Sequence, residues 1–278
     1  MGAIPQFYDG NGAPLDVGVD ALAVAPAWFG HRKRLTRWLE ALPENDWDGP
    51  TRCGRWTVGK LTRHLASVSQ FEGFTLHQAA KGEATRLLEG MDAQTTPSAA
   101  AELLGDLEPG ALLDTLRAAD DRIQGTATGW AAEDWAAMAE APPGHVPAWL
   151  SLAHMLFDSW VHEVDLLAPR GEDPVVDVAE VTIVVAYVVS LAGFVGGVAT
   201  GSDATLDVRI TDCDVRVGLD ATGARATTHT GWAPDAAPVV EGTAAQVLDV
   251  ATGRTDPAGL PGDAAGRAVF AALAALMV

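Results

Sequence analysis

The hydrophobic period of this chain changes once, near Gly201, and the change restricts the fold to packed helices first and a mixed sheet-and-helix unit after them. Upstream, Leu22, Val24, Trp28, Phe29, Leu35, Trp38, Leu39 and Leu42 recur at helical spacing over residues 20–42. Downstream, Leu206-Asp207-Val208-Arg209-Ile210 and Val215-Arg216-Val217-Gly218-Leu219 alternate apolar with polar residues, as half-buried strands do. Residues 212–214 supply the hairpin turn between them.

Three further helices are predicted before the switch. Thr57 is placed to cap one running to about Ala80, Leu112, Leu113, Leu116 and Ile123 mark another over 109–123, and Pro142, Pro143 and Pro147 precede a fourth over 148–167. Four helices of these lengths and connections imply an antiparallel bundle, whose core is a usual place to gather metal ligands. After the switch, further strands are expected near 224–230 and 239–241, with helices over 244–251 and 264–277. The chain thus divides into an all-α part, residues 1–172, and a smaller α+β part, residues 173–278.

An uncharged run over 181–199 has the length of a membrane span. Its flanks are acidic, no positive cluster lies near it, and Gly193, Gly196 and Gly197 interrupt its end, so a buried helix between the two parts is the expectation. A net charge of −19, from 37 acidic and 18 basic residues, disfavours binding to a phosphate backbone. Cys53 and Cys213 fit neither a disulfide framework nor a CxxC pair, and the opening residues carry no basic stretch followed by an apolar one. A cytoplasmic setting follows as the expectation.

Chemistry concentrates on two separated segments. In the fourth helix His154, Asp158 and His162 fall at i, i+4 and i+8. Because i to i+8 spans roughly 12 Å, one ion can take His154 with Asp158 or Asp158 with His162, but not all three. The histidine left over would act at the rim or behind the ligands, and Asp165, three residues after His162, is a candidate acceptor for that ring's other N–H. His64, from the second helix, would complete a set of three ligands with an open fourth position, the arrangement of a catalytic zinc. Spacing alone weighs against this, since a lone histidine on an apolar helix is more often a core residue and His-x3-Asp pairs are common.

The two segments together resemble the mycothiol-dependent maleylpyruvate isomerase family of DinB-like metalloenzymes. Thr51-Arg52-Cys53, Trp56-Thr57-Val58, Leu61 and His64-Leu65 match its Thr-x-Cys-x-x-Trp-Thr-Val-x-x-Leu-x-x-His-Leu pattern. Asp158, His162 and Asp165 match Glu-x-x-x-His-x-x-Asp with aspartate in place of the glutamate. A weaker likeness links residues 241–254, through Gly242, Ala244, Gly253 and Arg254, to the family's sterol-carrier-like C-terminal domain.

The resemblance implies a DinB-like antiparallel four-helix bundle with a sterol-carrier-like α+β tail, and selects His64, Asp158 and His162 as the metal ligands, with His154 outside. It implies zinc, mycothiol or another low-molecular-weight thiol, and a small, carboxylated electrophile that Arg254 would hold. The reaction class is isomerisation or thiol transfer by thiolate addition. Cys53 is expected to be structural, and Trp56 and Trp160 to be packing residues. Neither nucleic acid nor a membrane is expected as partner. A non-catalytic metal- or small-molecule-binding protein, favoured by Asp158, and a metal-dependent hydrolase are the alternatives.

Overall fold

The computed structural model describes residues 4–8, 14–54 and 56–277. Helix α1 (Ala21–Glu40) starts where the Asp20 carboxylate accepts the Leu22 N–H, and α2 (Val58–Ala79) starts where the Thr57 hydroxyl accepts the Lys60 N–H. Each side chain satisfies a backbone donor that the first helical turn leaves without an internal partner. A short helix α3 (Thr96–Glu102), which periodicity does not reveal, precedes α4 (Pro109–Thr128). Helix α5 (Ala148–Leu167) carries the second ligand segment. Helix α1 packs on α5 and α4, and α2 packs on α4 and α5. His64 and Asp158 therefore face each other across the α2–α5 contact.

The C-terminal region is built on a five-stranded sheet. Strands β4 (Ala204–Ile210), β5 (Val215–Thr222) and β6 (Arg225–Thr230) form an antiparallel meander, and β7 (Val239–Gly242) pairs parallel with β4. The fifth strand comes from the other end of the chain: β1 (Leu15–Asp16) lies parallel to β6. Residues near the N-terminus thus belong to the C-terminal sheet. Between α4 and α5, the proline-bearing stretch that precedes the fourth predicted helix holds a hairpin, β2 (Met138–Ala141) with β3 (Gly144–Pro147). Pro142 and Pro143 occupy its turn and Pro147 its last position, where no ladder N–H is needed.

The apolar run forms α6 (Val178–Thr200), capped by Asp177 and ended by Gly201 at φ +67°. By length and composition it could cross a membrane, yet 83% of its most apolar window is buried, against α5, β5, β6, α7 (Ala244–Ala251) and α9 (Ala271–Met277). Its glycines do not break it. A Cβ at Gly197 would fall 1.7 Å from the Gly223 carbonyl oxygen, and one at Gly193 would fall 2.9 Å from Leu219, so both allow the helix to lie close on the β5–β6 hairpin. The final segment, expected as one helix, divides into α8 (Ala264–Ala268) and α9.

Two buried carboxyls organise the helical region. Glu140 accepts from the Tyr8 and Thr85 hydroxyls and from the Leu87 and Leu88 N–H groups, pinning the segment after α2 to the hairpin. Glu72 is 1% exposed, its Oε2 accepts the Ser151 hydroxyl at 2.7 Å, and its Oε1 is buried without a hydrogen bond. Burial pushes the Glu72 carboxyl up to about 8. The folded state then binds this proton more tightly than the unfolded chain, so stability falls as pH rises from about 4.5 to about 8 and levels off above that. Glu72→Gln, neutral throughout, is expected to gain on the order of 4 kcal/mol over the native chain between about pH 5 and about pH 9. Urea unfolding at the two pH values measures the difference.

Candidate metal centre

Asp158 sits between two imidazoles. Its Oδ2 lies 3.5 Å from His64 Nε2 and its Oδ1 lies 3.5 Å from His162 Nε2. One donor atom from each of the three residues lies within 4.8 Å of the other two. Tetrahedral bonds of about 2.0–2.1 Å would set the donors about 3.3–3.4 Å apart, so a divalent ion is accommodated with small side-chain movements. Asp158 Oδ2 is buried without a hydrogen bond, as an oxygen reserved for a cation would be. The shorter aspartate arm therefore still brings its carboxylate into the cluster.

The His64 and His162 rings meet edge to face with centroids 4.9 Å apart, and Trp56 closes one side at 5.1 Å from the His64 ring and 6.3 Å from the His162 ring. Side-chain exposure is 4% for His64, 12% for His162 and 21% for Asp158, which leaves access on the aspartate side. Burial works against the charge on Asp158, but the two imidazoles outweigh it and hold the carboxyl well below its usual range.

His154 lies one turn before Asp158 and turns to another partner: its Nδ1 is 2.8 Å from the Tyr187 hydroxyl, beside Phe157. Desolvation lowers it to about 4, so it is neutral at physiological pH. Asp165 is fully buried, and its Oδ2 lies 3.0 Å from His162 Nδ1. An ionised carboxylate only accepts, so His162 donates from Nδ1 and keeps Nε2 for the cluster.

Burial lowers the His162 pKa, but Asp158 and Asp165 on either side more than reverse this and raise it to about 10 in the metal-free protein. The ring is then cationic at neutral pH and must release a proton before Nε2 can bind an ion. Metal affinity is expected to rise about tenfold per pH unit between about pH 6 and about pH 8. Chelator competition across that interval measures the slope, and a flat profile contradicts the assignment.

Arg254 lies on the turn after α7, expected from the resemblance to hold a substrate carboxylate. It donates from Nε to Asp165 Oδ1 at 2.8 Å and from Nη2 to Asp165 Oδ2 at 2.5 Å. Arg52, which sequence reasoning passed over, and Cys53, expected to be structural, complete the surroundings. Arg52 donates from Nε to Asp165 Oδ1 at 3.3 Å and grips Asp249 of α7 with both Nη atoms, at 2.8 and 2.6 Å. Cys53 has no histidine near it in sequence, but the fold sets its Sγ 3.6 Å from His162 Nδ1 and 3.0 Å from Asp165 Oδ2. Cys53, His162 and Asp165 thus form a second group with donor atoms at metal-binding separations, sharing one imidazole with the first. The Thr51-Arg52-Cys53 turn was the available signal, but the α7 partners appear only in three dimensions.

Comparison with known proteins bears on the fold and the family of the chain. Two crystal structures, of the mycothiol-dependent maleylpyruvate isomerase and of a variant of it with a histidine replaced by alanine, each superpose with a TM-score of 0.60 at 17% identity. Each comparison covers 89% of this chain and 94% of the other, so the fold is shared over nearly the whole length. No curated protein matches the chain in sequence. Residues 30–167, which carry His64, Asp158 and His162, match the mycothiol maleylpyruvate isomerase N-terminal domain. Through that domain the chain belongs to the mycothiol maleylpyruvate isomerase family.

Proposed function

We propose that this chain is a cytoplasmic enzyme, a zinc- and mycothiol-dependent isomerase or thiol transferase acting on a small carboxylated electrophile. The observation that carries the reading is the convergence of His64, Asp158 and His162, from two helices of the family domain, on one partly open point. On this reading α1, α2, α4 and α5 are a DinB-like antiparallel four-helix bundle and the C-terminal region is sterol-carrier-like.

His64 Nε2, one Asp158 oxygen and His162 Nε2 would hold the ion. When bound, zinc supplies the Lewis acidity that turns a thiol into a thiolate at neutral pH, and thiolate is the form that adds to an activated alkene. The remaining work belongs to the protein. Asp165 accepts the Nδ1 proton of His162 and so fixes both the tautomer and the ring plane. Trp56 covers the rings and keeps water from that side. Arg254 lines a depression of about 360 Å³ with Thr255, Asp256 and Ala274. With Nε and Nη2 committed to Asp165, its Nη1 makes no hydrogen bond among the described residues and is the group assigned to a substrate carboxylate.

Maleylpyruvate with zinc-loaded protein, assayed with and without mycothiol, tests the proposal. Isomerisation that needs both zinc and thiol is the expected outcome. Turnover that persists without thiol would favour water activation and hydrolysis, and thiol-independent inactivity with no metal retained would favour a non-catalytic binding protein.

A further inference from the structure

Four charged side chains of alternating sign run from the C-terminal region to the metal-binding cluster. Asp249 on α7 holds Arg52 through two hydrogen bonds, Arg52 reaches Asp165 Oδ1, and Asp165 is gripped from its other side by Arg254. Arg52 is also tied to the helix by its backbone, whose N–H donates to the Asp165 carbonyl at 3.0 Å. The two residues from the C-terminal region are held together. With Gly253 at φ +72°, the chain turns so that the Arg254 N–H donates to the Asp249 carbonyl at 2.8 Å. Helix α7 and its closing turn therefore present an acid and a base as one rigid unit to a base and an acid of the helical region.

Only Asp165 in this series touches a proposed ligand, and the His162 ring is oriented by it. Asp249 and Arg52 contact neither His64 nor Asp158 within any hydrogen bond or ion pair seen among the described residues. The Asp249 carboxylate and the Arg52 guanidinium would nonetheless both be needed to keep Asp165 in place. If Asp249 releases Arg52, that guanidinium is free to draw Asp165 away from His162 Nδ1, because a side-on pair between arginine and a carboxylate is a strong, directional contact. Arg254 alone would then hold Asp165 from one side.

We infer that Asp249 and Arg52 are a positioning pair through which docking of the C-terminal region sets the metal affinity of a site made wholly of helical-region ligands. Coupling of this kind is reciprocal: whatever factor docking adds to metal binding, bound metal adds to docking. The inference rests on the reading that His64, Asp158 and His162 bind a divalent ion, and its test separates the two.

The test uses the full chain, stripped of metal and titrated with zinc against a chelator at about pH 7, together with the thermal shift that saturating zinc produces. Asp249→Asn removes the negative charge that faces Arg52 and is expected to weaken zinc about 5- to 10-fold, at or just below the 10- to 100-fold seen when groups directly behind metal ligands are lost. Arg52→Lys keeps the charge but not the two-pronged grip, and weakens zinc in the same direction. Asp249→Glu restores most of the affinity. Leu260→Ala, a buried change in the C-terminal region away from the charged series, lowers thermal stability with zinc affinity unchanged. Wild-type affinity in Asp249→Asn, or an equal loss in Leu260→Ala, overturns the inference while leaving the metal site standing. A wild-type chain that binds no zinc overturns both.

Discussion

His64→Ala is expected to lower zinc affinity about 1,000-fold, close to 4 kcal/mol, and to bring thiol-dependent turnover down to background. One of three protein ligands is removed, and neither Asp158 nor His162 can approach the vacated position, since both project from α5. The metal-free fold should survive the change. His64 Nδ1 is buried without a hydrogen bond, so the change costs the packing of one ring against Trp56 and His162 and the Nε2 contact with Asp158, whose other oxygen keeps His162 beside it. Metal content after gel filtration and circular dichroism of the same sample separate the two effects. An alanine variant that keeps zinc at the wild-type ratio would remove His64 from the site.

Asp165→Ala is expected to be the most destabilising change among the residues around the cluster. The carboxylate is fully buried and accepts from Arg254, Arg52, Cys53 and His162. Burial opposes its charge, yet these partners hold its pKa well below the usual carboxylate range. Its removal leaves Arg254, whose side chain is 20% exposed, without the carboxylate it faces. Breaking a buried ion pair by deleting one partner costs about 3–5 kcal/mol, and here a backbone-anchored arginine and the His162 N–H lose their acceptor too. Urea unfolding at about pH 7 measures the loss, and a change below about 1 kcal/mol would show that water or rearranged side chains replace Asp165 readily. Zinc affinity of the surviving fold should drop by about 10- to 100-fold as His162 loses its fixed tautomer.

Features written into neighbouring residues were legible in the sequence. The Thr57 cap, the 148–167 helix and the 244–251 helix were placed by side-chain capping and apolar spacing, and α5 and α7 have those bounds. The i, i+4 relation of Asp158 and His162 likewise needed only the pitch of a helix, and both turn toward His64. Which histidine joins Asp158 was not fixed by spacing. His154 is drawn off by Tyr187, a residue of α6, and that contact exists only after packing.

What the sequence hid depends on distant partners. Leu15 and Asp16 are too short a strand to show alternation and are ordered by β6, more than 200 residues away. The β2–β3 hairpin carries prolines at its turn and edge, where they look like loop residues. Glycines in α6 read as helix breakers because their value lies in contact with Leu219 and Gly223. Cys53 and Arg52 gained their neighbours in the same way, from α5 and α7 folding back over the turn before α2.

An anomalous difference map from crystals of the zinc-loaded protein tests the central claim most directly. The account predicts a single strong peak about 2.0–2.2 Å from His64 Nε2, His162 Nε2 and an Asp158 oxygen, with a fourth position open to solvent or thiol. A peak bound instead to Cys53, Asp165 and His162 Nδ1, or no peak near α2 and α5, would contradict it.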